Sequence, residues 1–174
     1  MTRLAAALGA LLLTTACAEG DGHNDADVEF ATEMIGHHAD AIQMANYTIG
    51  RESLDPEFAD LAEQIRVAHT EELDTRSGWL RDWDEPVPET GFATGDGHTH
   101  EEQDHGADME TLAEASDADF EGLWLAQMRE HHEGAVSLAE DVLDDGDSPD
   151  VADLARVIRT AQQTEIERME ALAG

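Results

Sequence analysis

The chain has 174 residues, with nine Arg, no Lys and 41 Asp and Glu, for a formal net charge of -32. That length suits one domain with a real core once the N-terminus is set aside. The charge excludes nucleic acid as a partner, because phosphate binding needs a basic surface; such acidity reads either as a solvated, self-repelling surface or as an attractor of cations.

Residues 1–17 read as an export signal. A positive start at Arg3, an apolar run over 4–13 and the small residues Thr14, Thr15 and Ala16 precede Cys17, the only cysteine. The run is too short to span a bilayer as a permanent helix. A lone Cys in this place resembles the lipobox of bacterial lipoproteins, whose Cys is lipidated and becomes the mature N-terminus. Thr14 departs from the Leu usual at the first position of that box, so secretion with cleavage nearby is the alternative. The expectation is an exported lipoprotein anchored to the cell membrane through Cys17, with residues 18–26 as a flexible tether and His23 incidental within it.

Helix one is expected over 28–51, with Asp27 as N-cap. At roughly 100° per residue Phe30, Met34, His38, Ala41, Ala45 and Ile49 share one stripe, which puts His38 in the core and His37 at its edge beside Met44. Asp55 and Pro56 then form an ordinary helix start, N-cap followed by first helical residue, for helix two over 56–83. Its stripe of Phe58, Leu61, Ile65, Ala68, Glu72 and Trp79 places a carboxylate at a core position, with His69 next to it around the helix.

A linker over 86–118 follows, punctuated by Pro and Gly. It carries GDGHTHEEQDHGADM, in which His98, His100 and His105 make either a tract for loose metal capture or a merely solvated segment. A short helix is expected over 108–116, with no face assigned to Met109. Helix three, over 119–143, sets Phe120, Trp124, Met128, His132, Ala135 and Ala139 on its stripe and His131 at the flank with Leu138. After a turn ending in Ser148 and Pro149, helix four over 150–172 carries Leu154, Ile158, Ala161, Glu165 and Leu172. Glu165 therefore repeats Glu72, and Gln162 stands for His69.

Helices one and three are copies of one unit. Residues 34–45 read MIGHHADAIQMA and residues 128–139 read MREHHEGAVSLA, so His37 and His38 align with His131 and His132, and Met34 with Met128. A duplication of this length implies one supersecondary unit doubled so that each copy buries the other's apolar face. The expected fold is all-α: an antiparallel four-helix bundle over 27–174, built from helical hairpins 28–83 and 119–172.

His38, His132, Glu72 and Glu165 come one to each helix, and unpaired groups of this kind are costly to bury. They must meet each other, water or a metal. One reading is a pair of His–Glu hydrogen bonds that fix the register of the hairpins; the other is a metal site on facing helices. Thioether with imidazole favours copper(I), whereas His with Glu favours zinc, iron or manganese, and Met34 and Met128 are equally ordinary as core fillers.

The paired MxxHHxxA segments, each followed by a helix containing LAxxI and then Glu, together with AQQTEIERM near the C-terminus, resemble the bacterial family called domain of unknown function 305. The resemblance covers about residues 27–172. It implies a ferritin-like four-helix bundle, export, and an association with copper binding that falls here on Met34, His37, His38, Met44, Met128, His131 and His132. The sequence departs from the Met-rich pattern at Leu138, which answers Met44, and at Arg76, which answers Met169; that favours a less selective site.

Three functions follow. The first is a metal-binding lipoprotein that binds or buffers copper, with zinc or iron as alternatives. The second is a ferritin-like His and Glu metalloenzyme, and the third a metal-free structural or interaction module. The buried stripes lack the ExxH pattern of di-iron bundles and no nucleophile constellation is present, so the expectation is a protein that is not an enzyme.

Overall fold

The computed structural model describes residues 22–90 and 108–174. Five helices follow in order: α1 Asp25–Asn46, α2 Pro56–Asp82, α3 Met109–Glu114, α4 Asp117–Asp145 and α5 Pro149–Ala173. The fold is an all-α, antiparallel four-helix bundle in which α1 and α2 form one hairpin and α4 and α5 its repeat. Among the described residues no helix is long and apolar enough to cross a membrane. The signal, Cys17, residues 18–21 of the tether and the tract with His98, His100 and His105 lie outside the described residues, whereas the end of the tether is structured, Asn24 capping α1 and residues 25 and 26 being its first turn.

The helices start where the sequence supplies caps. Asp55 accepts from the N–H groups of Glu57 and Phe58 ahead of Pro56, as expected. At α1 the cap is Asn24 rather than Asp27: Asn24 accepts from the Asp27 N–H while the Asp27 carboxylate accepts from the Asn24 N–H, a reciprocal capping box. Asp27 is thereby freed for a second task. Its carboxylate also accepts from the N–H groups of Asp147 and Ser148, tying the start of α1 to the turn between α4 and α5.

Helix α1 also ends earlier than expected. The Thr48 hydroxyl donates to the Ala45 carbonyl and Gly50 takes a left-handed conformation at φ 86°. Ile49, expected on the buried stripe, consequently points outward and is 71% exposed. Of the linker, the short helix forms as α3 with Asp108 as its cap; Leu112 is buried and Met109 packs beside it against the core.

α1 and α4 run antiparallel and form the close seam between hairpins. Along it Arg51 pairs with Asp117, the Trp124 indole N–H donates to the Met44 carbonyl, His37 meets His131, and Asp27 reaches Ser148. α2 and α5 stand farther apart and are joined by side chains, among them Arg168 donating to Gln64 at 3.0 Å.

Two of the four stripes differ from expectation by one position around the helix. α2 buries Phe58, Leu61 and Ile65 as expected, and beside them Ala62, His69, Arg76, Ser77 and Leu80, while Ala68, Glu72 and Trp79 are half-buried. α5 likewise buries Val151, Ala155, Ile158, Gln162 and Met169, leaving Ala161 exposed and Glu165 half-buried. Within them Ala62, His69 and Arg76 on α2, and Ala155, Gln162 and Met169 on α5, recur every seven residues, the 3.5-residue period of bundle packing, from which a 3.6-residue stripe drifts by about 20° per heptad.

Candidate metal centre

The shift of phase decides what the core contains. Five histidines lie buried at mid-bundle: His37 and His38 from α1, His69 from α2, His131 and His132 from α4. Consecutive histidines on a helix diverge by about 100°, so each pair serves two places. His37 and His131, expected at the edges of their stripes, are instead buried against each other with ring centroids 3.6 Å apart, because the α1–α4 seam closes over that edge.

His38 and His132 point to the other side of the layer. His38 Nε2 lies 2.7 Å from a Glu72 carboxylate oxygen, and His132 Nε2 lies 2.8 Å from Glu165. His69 stands between these two pairs, its ring 4.3 Å from that of His38 and 5.4 Å from that of His132. The result is a row running from Glu72 through His38, His69 and His132 to Glu165. Across from His69, the Gln162 amide nitrogen is 3.5 Å from His69 Nε2, so the two residues aligned by the duplication also meet.

Electrostatics keep two imidazoles of this row uncharged. Burial, with Arg76 next in weight, holds the His38 imidazole well below its usual 6.5; burial, with His132 next, does the same for His69. Both rings are therefore neutral near pH 7, the form that offers a lone pair to a metal. Each histidine shares its Nε2 with a carboxylate, and neither His38 Nδ1 nor His132 Nδ1 has a hydrogen-bond partner among the described residues; an ion held by His132 and Glu165 together would sit in place of the proton that they share.

The tightest convergence lies on one side. Ligand atoms of His69, His132 and Glu165 all fall within 4.8 Å of one another. Met128 is one turn before His132 and Met169 one turn after Glu165, and both are buried in the same apolar cluster as Met44. Met34 belongs to the other cluster, with Leu138 packed against it. Three nitrogen and oxygen donors with thioethers alongside fit a first-row or soft metal ion.

Arg76 occupies the corresponding place on the other side. It is fully buried, its three guanidinium nitrogens make no hydrogen bond among the described residues, and it lies 3.8 Å from the Glu72 carboxylate. Burial lowers its pKa to about 10, with Glu72 opposing, so it remains a cation at neutral pH. Glu72 is itself shifted upward, by burial first, against the pull of Arg76.

The sequence named His37, His38, His131, His132, Glu72, Glu165 and the methionines 34, 44 and 128, and all of them lie in or beside this layer. It passed over His69 and Arg76 as core groups. Their signal was present in the seven-residue spacing of Phe58, Ala62, Ile65, His69 and Arg76.

The model of the family described as Domain of unknown function (DUF305) matches residues 27–173. Among curated proteins no match was found. Solved structures do match. A DUF305 fragment from Deinococcus radiodurans is 27% identical with a TM-score of 0.72, covering 87% of this chain and 97% of that one. CopM in its Cu(II)-bound form is 28% identical with a TM-score of 0.70, covering 84% and 95%. A putative secreted DUF305 protein from Streptomyces coelicolor is 28% identical with a TM-score of 0.69, covering 84% and 91%.

Proposed function

This chain belongs to the DUF305 family, and on that premise we propose that it is an extracytoplasmic copper-binding protein whose bundle core holds the ion. The observation that carries the reading is the convergence of His69, His132 and Glu165 within 4.8 Å, beside the thioethers of Met128 and Met169. Support comes from CopM, a structural neighbour in Cu(I)-bound, Cu(II)-bound and silver-bound forms. Imidazole with thioether suits copper(I), and Glu165 adds a hard donor that suits copper(II). The role is to bind or buffer the ion rather than to turn over a substrate.

Export is the location that goes with this role. It is supported by the signal-like residues 1–17 and by the Streptomyces coelicolor neighbour described as a putative secreted protein. Anchoring through a lipid on Cys17 is the finer form of the proposal. Labelling cells with a fatty-acid analogue tests it: label on the wild type that disappears with Cys17→Ser supports the anchor, and an unlabelled wild type rejects it.

The metal-free reading draws on the two His–Glu hydrogen bonds, which already satisfy Nε2 of His38 and His132. Elemental analysis of the purified protein after separate exposure to copper(I), copper(II), zinc and iron(II) separates the two. Copper retained through gel filtration at a fixed ratio supports the proposal. No retained metal of any kind returns the layer to a structural role.

A further inference from the structure

The two halves of the core have diverged in one consistent direction. His132 and Glu165, 2.8 Å apart, are flanked one turn away by Met128 and Met169. His38 and Glu72, 2.7 Å apart, are flanked in the same way by Met34 and Arg76. Leu138 stands where the other copy has Met44, so one half has three buried thioethers in its cluster and the other has one. The half with fewer soft donors holds a guanidinium.

A buried Arg is costly unless something anionic answers it. Here the answer is Glu72 at 3.8 Å, the carboxylate equivalent to the one proposed to hold the metal, and no other charged partner of Arg76 is present among the described residues. The guanidinium thus faces the carboxylate from the place where the other half presents a thioether. We propose that Arg76 is a resident cation that takes the place of a second metal ion, so that this duplicated core binds one copper at His69, His132 and Glu165 and excludes one at His38 and Glu72. A cation brought beside Glu72 would meet a fixed positive charge in a medium that screens poorly, which disfavours it by about tenfold or more. At Glu165 no guanidinium stands in that position.

This inference rests on the copper-binding reading, and its test keeps the two apart. Copper(I) is titrated anaerobically, against a colorimetric chelator, into the full chain and into Arg76→Met, Glu72→Gln and Glu165→Gln, with circular dichroism as the check on folding. The expected result is one tight equivalent for the wild type, two for Arg76→Met, one for Glu72→Gln and none for Glu165→Gln. A wild type that takes two tight equivalents, or a folded Arg76→Met that still takes one, overturns the Arg76 proposal and leaves copper binding standing. A wild type that takes none overturns the copper reading and with it the one-ion assignment.

A measurement without metal covers the case in which Arg76→Met does not fold. Glu72→Gln removes the only counter-charge of a buried guanidinium, so its metal-free melting temperature should fall well below that of Glu165→Gln. Equal melting temperatures for these two variants overturn the pairing on which the resident cation depends.

Discussion

The imidazoles of His37 and His131 stand 3.6 Å apart between ring centroids, so the two copies of the repeat touch through the same residue. Any two-fold axis relating the hairpins passes between them. The second histidine of each copy is turned by about 100° onto the row with His69, and the doubled motif thereby supplies both a hairpin-to-hairpin contact and a member of the buried row. His37→Ala with His131→Ala should therefore lower the metal-free melting temperature, by the lost packing of two fully buried rings, a loss of about 2–5 kcal/mol for large-to-small core changes. Thermal melts check it; a change under about 0.5 kcal/mol, the scale of surface substitutions, would contradict the buried assignment.

His69 is the proposed ligand that lies between the halves. Gln162 occupies the equivalent place in the repeat and is equally buried, so the fold already accommodates an amide there. His69→Gln is accordingly expected to fold while weakening copper binding by about tenfold or more, the scale set by losing one metal-supporting group. Chelator competition alongside a melting curve measures both quantities, and unchanged affinity in a folded variant would remove His69 from the site.

The periodicity of the helices and the doubled histidines made the bundle legible before any coordinates, down to the Asp55 and Pro56 start of α2. Glu72 and Glu165 were legible as a repeated pair because each sits near an apolar stripe. His69 and Arg76 were not, for a reason of phase: a straight-helix count assigns the interior to Ala68 and Glu72, and the supercoiled packing of α2 turns it to His69 and Arg76. His37 and His131 were hidden because burial at a stripe's edge depends on how closely a neighbouring helix approaches, which one helix's pattern does not encode.

Acid should destabilise the metal-free protein ahead of ordinary carboxylate titration. Burial keeps His38 and His69 well below 6.5 in the folded state, whereas the unfolded chain takes up protons near that value. Between the two values the unfolded state binds more protons, so stability falls as pH drops below about 6.5. Glu72, shifted upward from 4.5, contributes with the opposite sign and only above 4.5 toward its raised value. Melting temperatures measured from pH 7.5 to 5 should decline, and His69→Gln should decline less; identical slopes would contradict the account.

Asp27 joins distant parts of the chain. One carboxylate oxygen accepts from Asn24, Asp147 and Ser148 at 2.9, 3.0 and 3.0 Å. Asp27→Ala strands these donors, at about 1–3 kcal/mol for each that stays buried. Gly146→Ala is expected to destabilise as well, since its Cβ would lie 2.6 Å from Asp27 Oδ1 and 2.7 Å from the Val142 carbonyl oxygen. Urea unfolding tests both, and a variant whose midpoint matches the wild type would show that the turn relaxes without cost.

If the core rather than the linker binds the ion, removing residues 95–106, with His98, His100 and His105, should leave the tightest copper affinity intact. Losing the tightest site on deletion would make that tract the main ligand.

The most direct measurement is anomalous diffraction at the copper edge from crystals of the copper-loaded protein. The account predicts one strong peak, within coordination distance of His69, His132 and Glu165 at mid-bundle. A peak confined to acidic side chains on the surface, with none in the core, would contradict it.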